Sequence, residues 1–435
     1  MKNTLIIIGL IAFMVSCQSN SANKKATLNI LDYQEDIQYL KDTLPIKHPN
    51  LFFHQSKKEF YENLDFIASE INLSSKNEAQ IIMQLREATA ELGDPHTNFG
   101  FYDVLRESGY FPIEIFWFED GIWITGADSK YQNAIGKKII EINGVSIKEV
   151  IEKVSKVVPE NAPYFRHKRM HYFLPMYAIL NYYEITPKPL ANFKLSDVSG
   201  KTENIEIGTA KGDYNPDTFE HMKQTPYYWL SVQGDNQELF RHHFFKEDGI
   251  LFIQYNSCWS RELEERHGKK EDAKSLPSFN DFKNDIFEII KNENVNKILF
   301  DMRFNGGGSS PQGTALIKEL STIESINQKG KLFVATSQHT FSSAVINAMN
   351  FRQSTNSILV GTPTGGSPNH YGEVRTLILP KTKMEIYHST DYFKFIDKDL
   401  EAVIPDITIP TKFIDISNGI DPIYEYVKNY AQHGK

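Results

Sequence analysis

The first part of the chain carries apolar residues at helical spacing. Two sets of positions each share one face of a predicted helix: Ile37, Leu40 and Leu44, then Phe60, Leu64, Ile67 and Ile71. Ser56 with Glu59 and Ser75 with Glu78 have the spacing of a capping box, and Gly93 stands where a helix C-cap is expected. These signals predict helices from residue 28 to 93, and we place the end of this N-terminal helical unit at residue 100.

The hydrophobic period then changes from that of a helix to that of a strand. Apolar residues alternate over 113–117, and Asp120 with Gly121 predicts the turn of a hairpin. The continuation IGKKIIEINGVSIKEVIEKV predicts a strand, an Asn-Gly turn and a helix. That order resembles part of a PDZ-like module, where a peptide can bind as an added strand. A generic β-rich insert is the alternative for the β-rich and aromatic-rich region over 101–215.

Residues 160–185 are dense in aromatic side chains: Tyr164, Phe165, Tyr172, Phe173, Tyr177, Tyr182 and Tyr183. Aromatic clusters more often pack in a core than bind a ligand. We therefore expect a core or lid helix in this segment, with a groove-lining role as the alternative.

Continuous apolar runs replace the alternating pattern in the second half of the chain. They begin at Gly249, Lys297, Lys331 and Ser357, and stretches with helical spacing intervene. Runs that are apolar on both faces suit strands that are buried on both sides, and strands that alternate with helices predict a largely parallel sheet. The predicted fold class is α/β, with a catalytic-type core over residues 216–435.

Composition and charge narrow the choice of partners. The 435 residues exceed one ordinary domain, and their 40% hydrophobic content is enough for substantial cores. The formal net charge is −8 and the pI is about 5.9, with no long basic run. We therefore expect neither nucleic acid nor an anionic membrane surface as the main partner.

The N-terminus has the pattern of an export signal. Lys2 precedes a short apolar run over 5–15 that ends in MVSC. A cysteine at that point resembles the signal of a lipoprotein, in which Cys17 is lipidated and becomes the mature N-terminus after a signal over 1–17, and residues 18–27 form a polar tether. A plain secretory signal is the alternative. With Cys17 lipidated, Cys258 is the only other cysteine, so no intramolecular disulfide is expected.

The stretch SQHTFSSAVINAMN places a serine pair between an apolar strand and a helix. Ser342 at a helix start would lie beside free amide donors, which favour a developing alkoxide or oxyanion. The glycines over 306–308 would offer a second amide close to the same point. Capping of the helix by Ser342 is the alternative, since serine is a preferred N-cap residue.

Cofactor chemistry has little support in the sequence, and we expect no metal and no organic cofactor. The histidines and Cys258 lack ligand spacings such as HExxH or CxxC. The segment NGGGSSPQGT lacks the lysine that a nucleotide-binding P-loop requires after its glycines.

Several motifs in the second half resemble those of the C-terminal-processing and tricorn-like serine peptidases, the tail-specific protease family. They are FDMRFNGGG, TFSSA, VGTPTGGSPNHYGE and IPDITI, in that order, and GDPHTNFG resembles a fifth motif that precedes the catalytic core. The resemblance covers about residues 249–430 and the earlier turn. It implies a ββα-repeat, crotonase-like peptidase core in which Ser342 is the nucleophile.

Two mechanisms occur within that family. One branch uses a serine–lysine dyad, but the matching position here is Ser367, and no lysine lies between Ser342 and Lys381. The tricorn-like branch takes its base from a histidine on the turn that matches His96. A neutral imidazole can accept the serine proton near working pH. The resemblance thus implies His96 as the base, with a structural turn histidine as the alternative.

The resemblance also implies the remaining site residues, and it leaves two of the choices open. Glu401, just before the IPDITI motif, is the expected acidic member of the charge-transfer set, and Glu373 is its rival. The expected oxyanion donors are the amide of Ser343 and that of Gly306 or Gly307.

Other residues complicate the comparison with the family pattern. His339 and His370 lie near the same loops and are more typical of a polar rim than of a base. Val345, Thr362 and Pro95 replace residues usual in the family, and Pro95 puts the orientation of the neighbouring His96 in question.

The expected function is a serine peptidase of the cell envelope that acts on a peptide or protein substrate through an acyl-enzyme. Its membrane contact would be only through the N-terminal lipid anchor. The alternatives are a peptide-binding lipoprotein on a degenerate peptidase fold and a serine esterase or amidase.

Overall fold

The computed structural model of the protein describes most of the chain, over residues 28–73, 78–101, 106–223, 225–230, 238–268 and 270–431. The predicted signal with Cys17, the tether and the Ser75 capping position lie outside these ranges. Within them, no helix combines the length and apolar character needed to cross a bilayer.

Three helices open the described chain: α1 (Ile30–Lys47), α2 (Lys57–Leu73) and α3 (Glu78–Ala90). Asn29 and Asp32 form a capping box at the start of α1, and Ser56 and Glu59 do the same before α2. The predicted apolar faces form one buried cluster. Gly93 follows α3 with a φ of 85°, which glycine adopts without strain. The predicted helices are confirmed.

After the short strand β1 (Asn98–Phe99), an antiparallel sheet follows. Its strands are β2 (Ile113–Phe118), β3 (Gly121–Ala127), β4 (Lys138–Ile142), β5 (Val145–Ser146), β6 (Leu190–Ser196), β7 (Thr202–Gly208) and β8 (Glu220–His221). The order is β2-β3-β4-β6-β7, with β5 beside β4 and β8 beside β3. Helix α4 (Ile147–Val154) begins after Ser146, whose side chain caps it. The predicted hairpin, strand and helix are present, whereas the PDZ-like character is not confirmed.

The aromatic-rich segment forms α5 (Pro163–Phe173) and α6 (Tyr177–Tyr182). Helix α5 begins at a proline, which needs no hydrogen-bond partner in the first turn. Phe165 and Phe173 belong to the core of the antiparallel sheet, and that core also contains Phe341 from the second half of the chain. The expected packing role is confirmed, and it brings α5 against the segment that carries the serine pair.

The second half of the chain builds the central sheet. Within the described ranges its strands are β9 (Phe240–Phe245), β10 (Ile250–Tyr255), β11 (Lys297–Asp301), β12 (Leu332–Thr336), β13 (Ile358–Gly361) and β16 (Ile407–Thr408), in the order β16-β13-β12-β11-β10-β9. Every adjacent pair is parallel except β9 with β10. The predicted, largely parallel α/β sheet is confirmed.

Helices cover both faces of this sheet. The helices of this half are α7 (Tyr227–Leu230), α8 (Arg261–His267), α9 (Lys270–Ala273), α10 (Phe279–Asn292), α11 (Ser310–Ser321), α12 (Ser343–Ser354), α13 (Phe413–Ser417) and α14 (Pro422–Asn429). Side chains of α10, α11 and α12 pack on one face, and those of α13 and α14 on the other. Burial on both faces explains the continuous apolar runs of the strands.

A hairpin from the second half joins the two halves of the molecule. Its strands are β14 (His370–Ile378) and β15 (Glu385–Phe393), and β15 also pairs with β1. The Asp36 carboxylate of α1 accepts the amides of Lys381 and Thr382 in the hairpin turn. The turn at 94–97 lies between α3 and β1, and the pairing of β1 with β15 connects it to this hairpin.

A buried ion network holds the loop after β11. The Arg303 guanidinium donates to Asp301 at 2.9 and 2.8 Å and to Asp421 at 2.9 and 2.7 Å. All three side chains are buried, and the guanidinium stacks on the Tyr228 ring at 3.7 Å. Asp421 also caps α14 through the Ile423 amide. Arg303 therefore connects the end of β11 to α14 just before the glycine loop.

We expect Arg303→Met to lower the free energy of unfolding by about 3–5 kcal/mol, because it leaves two buried carboxylates without a counter-charge. Urea unfolding measures the loss. Arg352→Met is the matched control: its pair with Asp406 at 3.3 Å is partly exposed, so its loss should be about 0–1 kcal/mol. Equal losses from the two substitutions would contradict a structural role for the network.

Candidate active site

Ser342 lies between β12 and α12 in a backbone conformation that serine rarely adopts. Its φ is 54° and its ψ is −126°, in the region that favours glycine. Contacts to the loop after β11 hold the segment: the Phe341 amide donates to the Asn305 carbonyl at 3.0 Å, and Thr340 Oγ1 donates to the Met302 carbonyl at 2.8 Å. A strained conformation persists only where its surroundings impose it, and such residues concentrate at functional sites.

The two adjacent serines have different surroundings. Ser342 occupies the N-cap position of α12, yet its side chain makes no capping hydrogen bond. Ser343 is buried, and its Oγ donates to the Gly308 carbonyl at 2.7 Å. Within the described ranges, the Ser342 hydroxyl therefore does not cap the helix, which favours the nucleophile over the capping interpretation.

The glycine loop after β11 closely approaches the start of α12. A Cβ on Gly307, whose φ is 107°, would lie 2.8 Å from the Ser342 Cβ and 3.2 Å from the Ser343 nitrogen, so only glycine fits. The Gly307 amide donates to Asn305 Oδ1 at 2.9 Å. In the described part of the chain, the amides of Gly306 and Ser343 have no hydrogen-bond partner. These two predicted oxyanion donors are thus available to a substrate oxygen.

His96 lies on the turn between α3 and β1, next to the serine loop. Its ring stacks on the Phe341 ring with centroids 4.7 Å apart, and Phe341 directly precedes Ser342. Both ring nitrogens are buried and have no hydrogen-bond partner among the described residues. An imidazole with two unsatisfied nitrogens at this position is available to accept or donate a proton.

Asp94 anchors the His96 turn, a role that the sequence motif did not reveal. Its carboxylate accepts hydrogen bonds from His48 Nε2, Thr97 Oγ1, Ser389 Oγ and the His96 amide at 3.2, 2.6, 2.7 and 3.0 Å. Burial alone would raise the pKa of Asp94, but the hydrogen bonds from His48 and Thr97 and the nearby His96 imidazole outweigh it and hold the pKa far below its ordinary value. A permanent negative charge therefore lies 3.7 Å from His96 Nδ1, where it stabilises an imidazolium.

The two other candidate histidines have different environments. The His370 ring is 6.1 Å from that of His96, and its Nδ1 faces the Ser367 carbonyl at 2.9 Å. Burial and then the nearby His96 lower the pKa of His370 to about 4. His339 instead stacks on Phe116 at 5.0 Å, and burial followed by His171 lowers its pKa well below the ordinary value. Both side chains are therefore neutral near pH 7.

The two candidate glutamates lie at the surface. Glu401 is exposed, and its backbone carbonyl accepts a hydrogen bond from Ser367 Oγ at 3.2 Å. Glu373 is also exposed, and its carboxylate lies 3.4 Å from the Arg375 guanidinium. No hydrogen bond in the described part of the chain brings either carboxylate to His96. Asp94 is the carboxylate that the turn places beside that imidazole.

Metal-ligating side chains do not cluster at this rim or elsewhere in the described ranges. No group of three or more histidine, cysteine, aspartate or glutamate side chains there could hold a metal ion. Cys258 is buried, with Sγ 3.5 Å from Asn305 Oδ1, and burial raises the pKa of its thiol to about 12. The thiol therefore has little thiolate character.

Comparison with solved structures identifies the fold. Mature CPAF in complex with lactacystin matches with a TM-score of 0.63 and 12% identity, over 92% of this chain and 97% of that chain. Mature CPAF in another crystal structure gives 0.59 and 13%, over 91% and 96%. The tricorn protease matches less well, at 0.44 and 16% identity over 91% of this chain and 36% of that chain. No family model matches the chain, and no curated protein does either.

The chain thus has the fold of CPAF along nearly its whole length. The predicted resemblance to the tail-specific protease family is confirmed at the level of the fold.

We expect Ser342→Gly to be more stable than Ser342→Ala by about 1 kcal/mol, because glycine adopts the observed φ without strain. Equilibrium unfolding in urea measures the difference. The same pair of substitutions at Ser343, which has helical geometry, is the control, and there alanine should be the more stable. The same order at both positions would show that Ser342 is not strained.

Proposed function

We propose that this protein is a serine peptidase that cleaves peptide bonds through an acyl-enzyme on Ser342, with His96 as general base. One observation supports the proposal above the others. In the described part of the chain, Ser342 combines a strained backbone with a hydroxyl that makes no capping bond, and the amides of Gly306 and Ser343 and the His96 ring nitrogens nearby have no hydrogen-bond partner. That combination costs stability and has no structural purpose, but it is what acyl transfer requires.

The chemistry follows from these positions. In the first step, Ser342 Oγ forms a bond to the carbonyl carbon of the substrate while its proton moves to His96. The carbonyl oxygen becomes an oxyanion and accepts hydrogen bonds from the amides of Ser343 and Gly306. The C–N bond then breaks, the leaving amine takes the proton from His96, and water later hydrolyses the ester by the same route.

We assign Asp94 to the positioning of His96. Its carboxylate binds the backbone amide of His96 and carries the negative charge nearest to Nδ1. As the proton arrives, the developing imidazolium gains a favourable interaction with this charge. Glu401 remains a prediction for the positioning of His96. Its exposed side chain would have to turn inward to reach the imidazole.

A location in the cell envelope is proposed on the signal pattern alone. Lipidation of Cys17 would attach the peptidase to a membrane while the described domains remain in the aqueous phase. Incorporation of labelled palmitate into the wild-type protein, and its loss in Cys17→Ser, tests this point. A mature protein whose first residue is not Cys17 would overturn it.

Ser342→Ala should abolish labelling by a fluorophosphonate probe and all peptide turnover, since the probe reacts only with an activated serine. Ser343→Ala keeps its backbone amide and should retain most of both, with a small loss of stability from the missing bond to Gly308. Gel fluorescence and a fluorogenic peptide assay give the readouts.

Each possible outcome of that experiment separates the candidate functions. A wild-type protein that folds but is not labelled would favour a peptide-binding protein on a degenerate peptidase fold. Labelling with turnover of esters but not of peptides would favour an esterase or amidase. Loss of labelling in Ser343→Ala but not in Ser342→Ala would shift the nucleophile by one residue.

His96→Ala should reduce kcat/KM by ~10²-fold or more, the usual contribution of a general base. The variant should still fold, with a lower urea midpoint from the lost stacking on Phe341. Wild-type activity should fall on the acid side, because a protonated imidazole cannot accept the serine proton. An acid limb near pH 4 would point to His370, because burial lowers the pKa of that imidazole to about 4. Full activity in His96→Ala would exclude His96.

A further inference from the structure

A second histidine contacts the carboxylate beside His96. His48 directly follows α1, and its backbone amide donates to the Leu44 carbonyl at 3.0 Å. The residue is 3% exposed, and its Nε2 lies 3.2 Å from Asp94 Oδ2. His48 belongs to the N-terminal helical unit, and 46 positions of the chain separate it from Asp94. The acyl-transfer steps give this buried imidazole no task, although it reaches the carboxylate that positions the candidate base.

The hydrogen bonds of His48 define its protonation state. The backbone amide of Asn50 donates to His48 Nδ1 at 3.1 Å, so this nitrogen carries no proton. The proton of the neutral ring is then on Nε2, which donates it to Asp94. A charged imidazolium would have no lone pair for the Asn50 amide. His48 is therefore a neutral donor, and it leaves the negative charge of Asp94 uncompensated.

The two carboxylate oxygens of Asp94 have unequal surroundings. Oδ2 accepts hydrogen bonds from three side chains, those of His48, Thr97 and Ser389. In the described part of the chain, Oδ1 accepts one hydrogen bond, from the backbone amide of His96 at 3.0 Å. Oδ1 also lies 3.7 Å from His96 Nδ1. The oxygen with remaining capacity to accept a proton donor is therefore the one nearest to the candidate base.

This asymmetry bears on the tautomer of His96. Its Nδ1 is buried without a hydrogen-bond partner in the described ranges, and catalytic hydrogen bonds are often long until the substrate binds. A small rotation of the ring lets Nδ1–H donate to Asp94 Oδ1, and Nε2 is then the nitrogen that accepts the Ser342 proton. Burial would raise the pKa of Asp94, and the His48 hydrogen bond is the largest of the contributions that hold it far below its ordinary value.

We propose that His48 is a positioning residue for the candidate base: as a neutral donor it holds the Asp94 carboxylate with Oδ1 toward His96 Nδ1. A cationic donor at that point would neutralise Asp94 and repel the imidazolium that forms on His96. The Asn50 amide prevents this, because it occupies Nδ1 and so keeps His48 neutral. This inference rests on the proposed peptidase function and extends it to a residue of the N-terminal helical unit.

Three substitutions in the full-length protein test this role. His48→Met removes the donor and keeps an apolar side chain of similar length, whereas His48→Gln restores a neutral N–H donor. His388→Gln is the matched control. His388 is also 3% exposed, but its Nδ1 faces the Ser389 carbonyl at 3.3 Å and does not contact Asp94. Near-UV circular dichroism and urea unfolding establish that each variant is folded.

Kinetics with a fluorogenic peptide separate positioning from a merely structural role. In His48→Met, kcat should fall roughly tenfold or more while KM stays within about twofold of the wild-type value, because the base is misplaced and the bound substrate is not. His48→Gln should recover most of the lost kcat. His388→Gln should keep the wild-type kcat. A structural role alone would lower the stability of both His48 variants without this difference between kcat and KM.

A spectroscopic measurement tests the same inference without turnover. Long-range proton–nitrogen NMR correlations of protein labelled with nitrogen-15 in histidine report the tautomer of each ring, and the signals lost in His48→Met and His96→Ala assign the two imidazoles. His48 should be neutral with its proton on Nε2. The ring signals of His96 should shift in His48→Met and stay in place in His388→Gln.

Several outcomes would overturn the role of His48. They are a folded His48→Met protein with the wild-type kcat, a charged or Nδ1-protonated His48, and unchanged His96 signals in His48→Met. A loss of kcat in folded His388→Gln equal to that in His48→Met would do so as well. Lack of turnover in the wild type would instead contradict the peptidase function, because the NMR signals decide without catalysis whether His48 positions His96.

Discussion

One buried asparagine, through its side chain and its backbone, holds together the rim that carries the candidate active site. Asn305 Nδ2 donates to the Tyr255 carbonyl at the end of β10, its Oδ1 accepts the Gly307 amide, and its carbonyl accepts the Phe341 amide. These three bonds join the end of one strand, the glycine loop and the serine loop. Each of these loops follows a different parallel strand, so strand pairing by itself does not fix the distances between the loops. The hydrogen bonds of Asn305 fix these distances, and the strained conformation of Ser342 depends on those bonds.

The candidate base reaches this rim from a separate part of the fold. Asp94 binds His48 from the N-terminal helical unit and Ser389 from β15, so the His96 turn is held by two elements that are distant in sequence. The hairpin of β14 and β15 supplies apolar residues to the core of the N-terminal helices as well. Docking of the N-terminal unit is therefore a condition for the geometry of the candidate site. Damage to that unit would impair the site without a change in Ser342.

The sequence predicted those features that follow from local periodicity and turn chemistry. The hydrophobic pattern was enough to predict the helices over 28–93, the hairpin after residue 113 and the parallel sheet, because burial on one or both faces sets that pattern. The candidate nucleophile and the glycine loop could also be located from the sequence, because each follows a predicted strand of the parallel sheet. The anchoring of the turn by Asp94 could not be predicted from the sequence. Its partner Ser389 is 295 positions away and contacts the Asp94 carboxylate only in the folded chain.

Strain and unsatisfied hydrogen-bonding groups occur at the same rim of the molecule. Four apolar clusters in the described part of the chain supply stability, under each sheet and between the N-terminal helices. That stability can offset the unfavourable backbone angles of Ser342 and the unpaired amides beside it. Under the proposed function, a tetrahedral adduct on Ser342 would accept hydrogen bonds from those amides. The features that destabilise the unliganded protein are therefore those that the proposed acyl transfer would use.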